Sequence, residues 1–147
     1  MGNHRIFIAY NQYDRKLEEM KIQIPISVGE LVDKLTILEI KLENVSSNQK
    51  RGNLEKEYNE LVIVFERNVD SKILRKYYQD LLIINRKLWK IEDDIRILEK
   101  NKLFNEEFIQ LARSVYITND QRFDIKNTIN SLMGSDIKEE KLYEDYE

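Results

Sequence analysis

The feature that most constrains this chain is an apolar repeat through its middle. Leu74, Tyr77, Leu81, Ile84, Leu88, Ile91, Ile95 and Leu98 recur at steps that alternate three and four. A helix gathers such residues on one side, whereas a strand would scatter them over both faces. A seven-residue period held this long is the pattern of a left-handed coiled-coil seam. It predicts a helix over about residues 72–102, roughly 45 Å long at 1.5 Å per residue. That exceeds the width of a compact domain of this size. An antiparallel partner helix or a second subunit must therefore cover the seam, and dimerisation is the simplest cover.

Shorter helical patterns surround it. Ser27-Val28-Gly29-Glu30 reads as a capping box that opens a helix with Val28, Leu31, Leu35, Leu38, Leu42 and Val45 on one stripe. Val32, Ile37 and Ile40 lie off that stripe, so a second face is also expected to be buried. Asn44–Asn53 reads as a loop, Leu54–Arg67 as a second helix, and Asn68–Ser71 as a short connection. After the long helix, Asn105–Tyr116 is expected as a fourth helix. Thr118-Asn119-Asp120-Gln121 reads as a capping box opening a fifth, to about Met133, with Gly134 at its C-cap. Strands are expected only at Ile6–Tyr10 and Lys21–Ile26, the latter on the strength of its polar–apolar alternation.

Composition excludes several classes. Four Gly and one Pro are too few for a sandwich or barrel. With no Cys there is no disulfide frame, thiol nucleophile or thiolate metal site, and one His disfavours a His-rich metal site or a Ser-His-Asp triad. No phosphate loop or dinucleotide fingerprint is present, so no cofactor is expected. A net charge of −3 gives no bulk attraction to nucleic acid. No apolar run reaches the length of a membrane span, and the start lacks the layout of a signal peptide, so a cytoplasmic protein is expected, in the host cytoplasm if phage-encoded.

Three polar clusters are left to carry chemistry. Asn85, Trp89, Glu92 and Arg96 share one face of the long helix, with Asp93 beside it. Trp89 offers a flat stacking surface and Arg96 a planar fork for phosphate or carboxylate, although a Glu–Arg pair beside a core Trp is the plain structural alternative. Arg113, Tyr116, Asn119, Asp120 and Arg122 crowd around the expected fourth bend, where a helix N-terminus would present free amides to an anion. A capped turn with surface arginines is the alternative there. Glu30, Lys34 and Lys41, with Asp33 and Glu39, lie on the first helix, where intrahelical ion pairs account for them without a ligand.

Three segments together resemble a known family. They are Ile26-Ser-Val-Gly-Glu-Leu-Val-Asp-Lys-Leu-Thr-Ile-Leu-Glu-Ile-Lys41, Leu88-Trp-Lys-Ile-Glu-Asp-Asp-Ile-Arg96 and Phe108-Ile-Gln-Leu-Ala-Arg-Ser-Val-Tyr-Ile-Thr-Asn-Asp-Gln-Arg122. Their pattern is similar to a family of short uncharacterised helical domains found in bacteria and phages, sometimes fused to tetratricopeptide repeats or near sugar-transfer genes. The likeness spans about residues 20–146 and includes Glu139-Glu-Lys-Leu-Tyr143. It implies that residues 1–19 are an extension, and it favours the polar positions above as parts of a shared pocket.

The expected architecture is mainly α, an antiparallel helical bundle with one long heptad-patterned helix and a short N-terminal β-hairpin. Residues 1–19 form the extension, 20–134 the helical domain, and 135–147 an acidic tail that packs on the domain or on a neighbouring subunit. The leading expectation for function is a homo-oligomer, joined through the long helix, that binds an anionic small molecule such as a nucleotide or ADP-ribose derivative. Arg96, Arg113 and Arg122 would hold phosphates and Trp89 or Tyr116 would stack on a ring, with Asn119, Asp120, Glu92, Lys34 and Lys41 completing the site. By analogy this resembles compact phage proteins that sequester nucleotide immune signals. One alternative is a coiled-coil adaptor without a small ligand. Another is an enzyme of glycan or nucleotide-sugar metabolism that uses Glu92, Asp93 or Asp120 as acid and base; catalysis is the less favoured expectation.

Overall fold

A computed structural model describes residues 20–146 of the chain. Four helices follow in order: α1 Val28–Asn44, α2 Asn48–Asn68, α3 Ser71–Lys100 and α4 Glu106–Leu132. Each start has a side-chain cap. Ser27 accepts from the Glu30 amide, Ser47 from Lys50, Asp70 from Lys72 and Asn105 from Phe108. Only half of the expected capping box at Ser27 forms, because the Glu30 carboxylate turns to Lys126 of α4 instead.

The ends are equally specific. α3 stops where Lys102 takes a left-handed conformation (φ 56°). The amides of Lys102 and Leu103 then bond back to Glu99 and Leu98. α4 stops the same way at Gly134 (φ 62°), with the Ser135 amide on the Asn130 carbonyl. The expected loop at residues 44–53 shrinks to three residues, because Ser47 caps α2 early and Gly52 lies in its exposed first turns. Arg51 reaches back to the carbonyls of Leu42 and Val45 and closes the end of α1.

α1 is the hub, packed against α2, α3 and α4, while α3 and α4 form an antiparallel hairpin. The core joins Leu31, Val32 and Leu35 of α1, Phe65 of α2, Val69 of the α2–α3 connection, Leu74 and Leu81 of α3, and Ile129 of α4. Burying each such side chain contributes about 1.5–3 kcal/mol. The heptad seam of α3 therefore faces α1 and α4 of the same chain.

Two expectations are corrected. Helices four and five are one continuous helix, with no bend at residues 117–119. No Gly or Pro interrupts residues 105–133, and Thr118 is fully buried in packing, so it does not cap a new helix. The N-terminal β-hairpin is also absent among the described residues. Lys21–Ile26 is irregular and meets no partner strand among the described residues, with Met20, Ile22 and Ile24 exposed. The other strand candidate, Ile6–Tyr10, lies outside the described residues. Among the described residues, no helix is long and apolar enough to cross a membrane.

The C-terminal segment runs beside α4. Lys141 and the Tyr146 hydroxyl both bond Asp120, and Tyr146 packs edge-on against Tyr116. Leu142 and Tyr143 stay exposed.

Candidate functional site

Polar side chains occupy the middle of the bundle. On α1, Gly29, Asp33, Thr36 and Ile40 follow helical spacing and all are buried. Asp33, 1% exposed, takes a two-pronged ion pair from Arg122 of α4. The Arg122 Nε–Asp33 Oδ1 distance is 2.9 Å, and Nη2 bonds Oδ2. Asn85 of α3 donates to both Asp33 Oδ1 and Thr36 Oγ1, at 2.9 Å each. Asn119 accepts from Arg122 Nη1 at 3.3 Å. Three helices are thus fixed in register by one network, and Asp33 holds the Arg122 guanidinium above its ordinary pKa.

A second set lies one turn away. The Gly29 amide donates to Asn130 Oδ1 at 2.7 Å, and a Cβ at Gly29 would stand 2.6 Å from the Lys126 carbonyl oxygen. Lys126 is buried and paired with Glu30 and Glu139. Burial pulls its pKa down, but the hydrogen bonds it donates to Glu139 and Glu30 outweigh that and leave it raised. On the far side of α1, Tyr78 donates to Glu39 at 2.8 Å. Burial, reinforced by Glu39, pushes the phenol well above its usual range.

Three clefts open around this frame. The first, about 560 Å³, lies over the Asp33 network and is lined by Asn85, Trp89, Glu92, Asp93, Arg96, Asn119 and Arg122, with Ile37, Ile40 and Leu88. The second, about 730 Å³, runs between α4 and the C-terminal segment past Tyr116, Asn119, Asp120, Arg122 and Lys126. The third, about 490 Å³, is a groove at the α1–α2 turn lined by Lys41, Asn44, Val45, Ser46, Ser47, Lys50, Asn53, Leu54, Glu57 and Trp89. Trp89 walls both the first cleft and the groove. Arg122 and Asn119 wall both the first cleft and the second.

The expected site is therefore divided. Arg96, Arg122, Asn119, Trp89 and Glu92 do share a cleft. Tyr116 and Asp120 belong to the second cleft, and Lys41 to the groove. Arg113 and Lys34 are exposed and line none of the three. The helix N-terminus expected beside Arg113 does not exist, because α4 is continuous and its amides there are spent within the helix.

Electrostatics separate the clefts further. In the first, Arg122 is committed to Asp33, and Arg96 pairs with Glu92 at 3.3 Å. Asp93 adds another negative charge. In the second, Lys126, Lys141 and Asp120 are all paired. The groove differs: Lys41 and Lys50 make no ion pair among the described residues, and Glu57 is the single carboxylate in its wall.

Lys50 and Thr36 lie outside the three polar clusters of the sequence, and Asp33 is expected there only as a partner in intrahelical ion pairs. Lys50 falls in the stretch that the sequence presents as a loop, where periodicity gives no direction. Asp33 and Thr36 share the second apolar face marked by Ile40, and that burial was the available signal.

Among the described residues, no group of His, Cys, Asp or Glu side chains could hold a metal ion. No curated protein and no solved structure matches the chain. A family model matches residues 20–146, nearly the whole length, and the chain belongs to that family, described as a family of unknown function (DUF6165).

Proposed function

We propose that this domain binds a small anionic molecule of the nucleotide class, its ring against Trp89 and its phosphate over Lys41 and Lys50. The observation that carries this reading is the pair of unneutralised lysines in a groove with an aromatic wall. A phosphate entering the groove meets two cations whose charge is not already spent, against one carboxylate. The amino end of the α2 dipole at Ser47 has the same sign. Asn44, Ser46 and Asn53 supply neutral polar groups for sugar or base. In the first cleft a polyanion would instead meet Glu92, Asp93 and an Arg122 already neutralised by Asp33. Arg96 is exposed, and its pair with Glu92 is the weak intrahelical kind that a ligand phosphate can replace.

Trp89 is the chain's only tryptophan, so its fluorescence reports on the groove and on the first cleft, and the lysine variants tell the two apart. Titration with nucleoside phosphates, cyclic dinucleotides, ADP-ribose and nucleotide sugars should give saturable quenching for at least one of them. Calorimetry should give the same affinity. Lys41→Ala and Lys50→Ala should each weaken binding about tenfold, equivalent to about 1.4 kcal/mol, and the double variant should abolish it. The ligand should be recovered unchanged after long incubation. A flat titration across the panel at low ionic strength, or binding that ignores both lysines, refutes the reading.

A further inference from the structure

Arg113 is exposed on the outer face of α4, lines none of the three clefts, and makes no ion pair among the described residues. It shares that face with Glu106, Ile109, Gln110 and Ile117, all of them exposed. Counted from Glu106 the steps are 3, 4, 7 and 11, which on a 3.6-residue turn make a single stripe. Ile109 is 48% exposed and Ile117 36%. The stripe begins beside Leu103 and Phe104 at the hairpin tip, which are also exposed. Among the described residues this region stays open: the last buried residue of α3 is Ile91 and the first of α4 is Thr118. Ile109 lies between Glu106 and Arg113 and Ile117 follows Arg113, so with Leu103 and Phe104 they make an exposed apolar strip of the kind that marks an interaction surface.

We infer that this stripe is a homodimer surface, with α4 of one copy lying antiparallel on α4 of a second. The charges select the occupant. A two-fold axis between Ile109 and Gln110 places Glu106 of each copy opposite Arg113 of the other. Glu106 and Arg113 lie seven residues apart, about 10 Å along the helix, so both pairs form across one crossing. The same axis brings the two Ile109 side chains together and sets Ile117 of one copy at the level of the Leu103 turn of the other. A parallel pairing would oppose like charges, which is repulsive. The stripe is its own complement, which a surface built for a different protein has no need to be. This inference is independent of the groove at Trp89.

Sedimentation velocity and light scattering on the full chain, from low micromolar to several hundred micromolar, test it. A concentration-dependent dimer is expected. Arg113→Glu and Glu106→Arg should each weaken association about tenfold or more, with the helical circular-dichroism melt unchanged. The double variant, which swaps the two charges, should restore it. The two single variants mixed in equal amounts should pair with each other, because each then supplies the charge the other lacks. The chain has no cysteine, so Gln110→Cys should give a disulfide-linked dimer on mild oxidation. A monomer throughout the range overturns the inference. So does a dimer that ignores both charge reversals, since another surface would then hold it.

Discussion

Replacing Arg122 with methionine tests the central network most directly. The change removes the guanidinium but keeps much of the aliphatic volume, so its effect reads the charge rather than a cavity. Asp33 is 1% exposed and would keep only the Asn85 donor among its present side-chain partners. Breaking a buried pair by removing one partner costs about 3–5 kcal/mol, because the remaining charge is left uncompensated. The Arg122 side chain is 27% exposed, so water can enter part of the space it leaves. The expected loss is therefore at the low end, about 3 kcal/mol. With a urea slope near 1.5 kcal/mol/M, the unfolding midpoint should fall by roughly 2 M with no change in slope. In a melt the shift should be roughly 10 °C. Asp33→Leu together with Arg122→Met should recover most of the loss, because an apolar pair leaves no buried charge. A single-variant loss under about 1 kcal/mol, or strictly additive effects in the cycle, would show that the pair is not what holds α1 on α4.

Glycine substitutions should have opposite signs at two helical positions. Gly29→Ala should destabilise by about 1–3 kcal/mol in urea titrations, since its Cβ would press on the Lys126 carbonyl and Asn130. Gly52→Ala has open space around it and should stabilise by about 0.5–1 kcal/mol. At high pH, Lys126 and Tyr78 both have folded pKa values above their ordinary 10.5 and 10.0. Their contributions are complete below pH 10 and are lost as the pH rises through the folded values. Stability measured by denaturant at stepped pH should accordingly fall above pH 10, and Lys126→Met with Tyr78→Phe should flatten that fall.

Legibility in the sequence depended on how periodic each segment is. The heptad from Leu74 to Leu98 announced α3 to within two residues at each end, because apolar spacing and helix geometry say the same thing there. Ser27 announced the start of α1 for the same local reason. Thr118-Asn119-Asp120-Gln121 has the composition of a cap but not the role. Its threonine points into the bundle, and tertiary packing overrides the local preference. Ser47 shows the converse: a cap hidden in a polar stretch that looked like loop. The same difference explains the site. Trp89, Glu92 and Arg96 were found together because one helix carries them. Arg113 and Arg122 are close in sequence, yet nine residues of unbroken helix, at 100° each, put them on opposite sides of α4. The inward one joins Asp33 and the outward one faces solvent.

That separation also decides what an arginine in this fold can do. A guanidinium that spends both prongs on a buried carboxylate is a structural strut. Its pKa is raised by the hydrogen bonds to Asp33, the same bonds that occupy the guanidinium. Among the described residues, the cations without an ion pair include Lys41 and Lys50 beside Trp89 and Arg113 on the exposed face of α4. The two places differ in shape, and on the two proposals above shape sorts the partners. The first is concave and has an aromatic wall, which suits a small ring-bearing anion. The second is a convex helix face with an acid two turns away, which suits another helix of the same kind. On both proposals, partner preference follows from where the bundle leaves charges unpaired, more than from which charged residues cluster in the sequence.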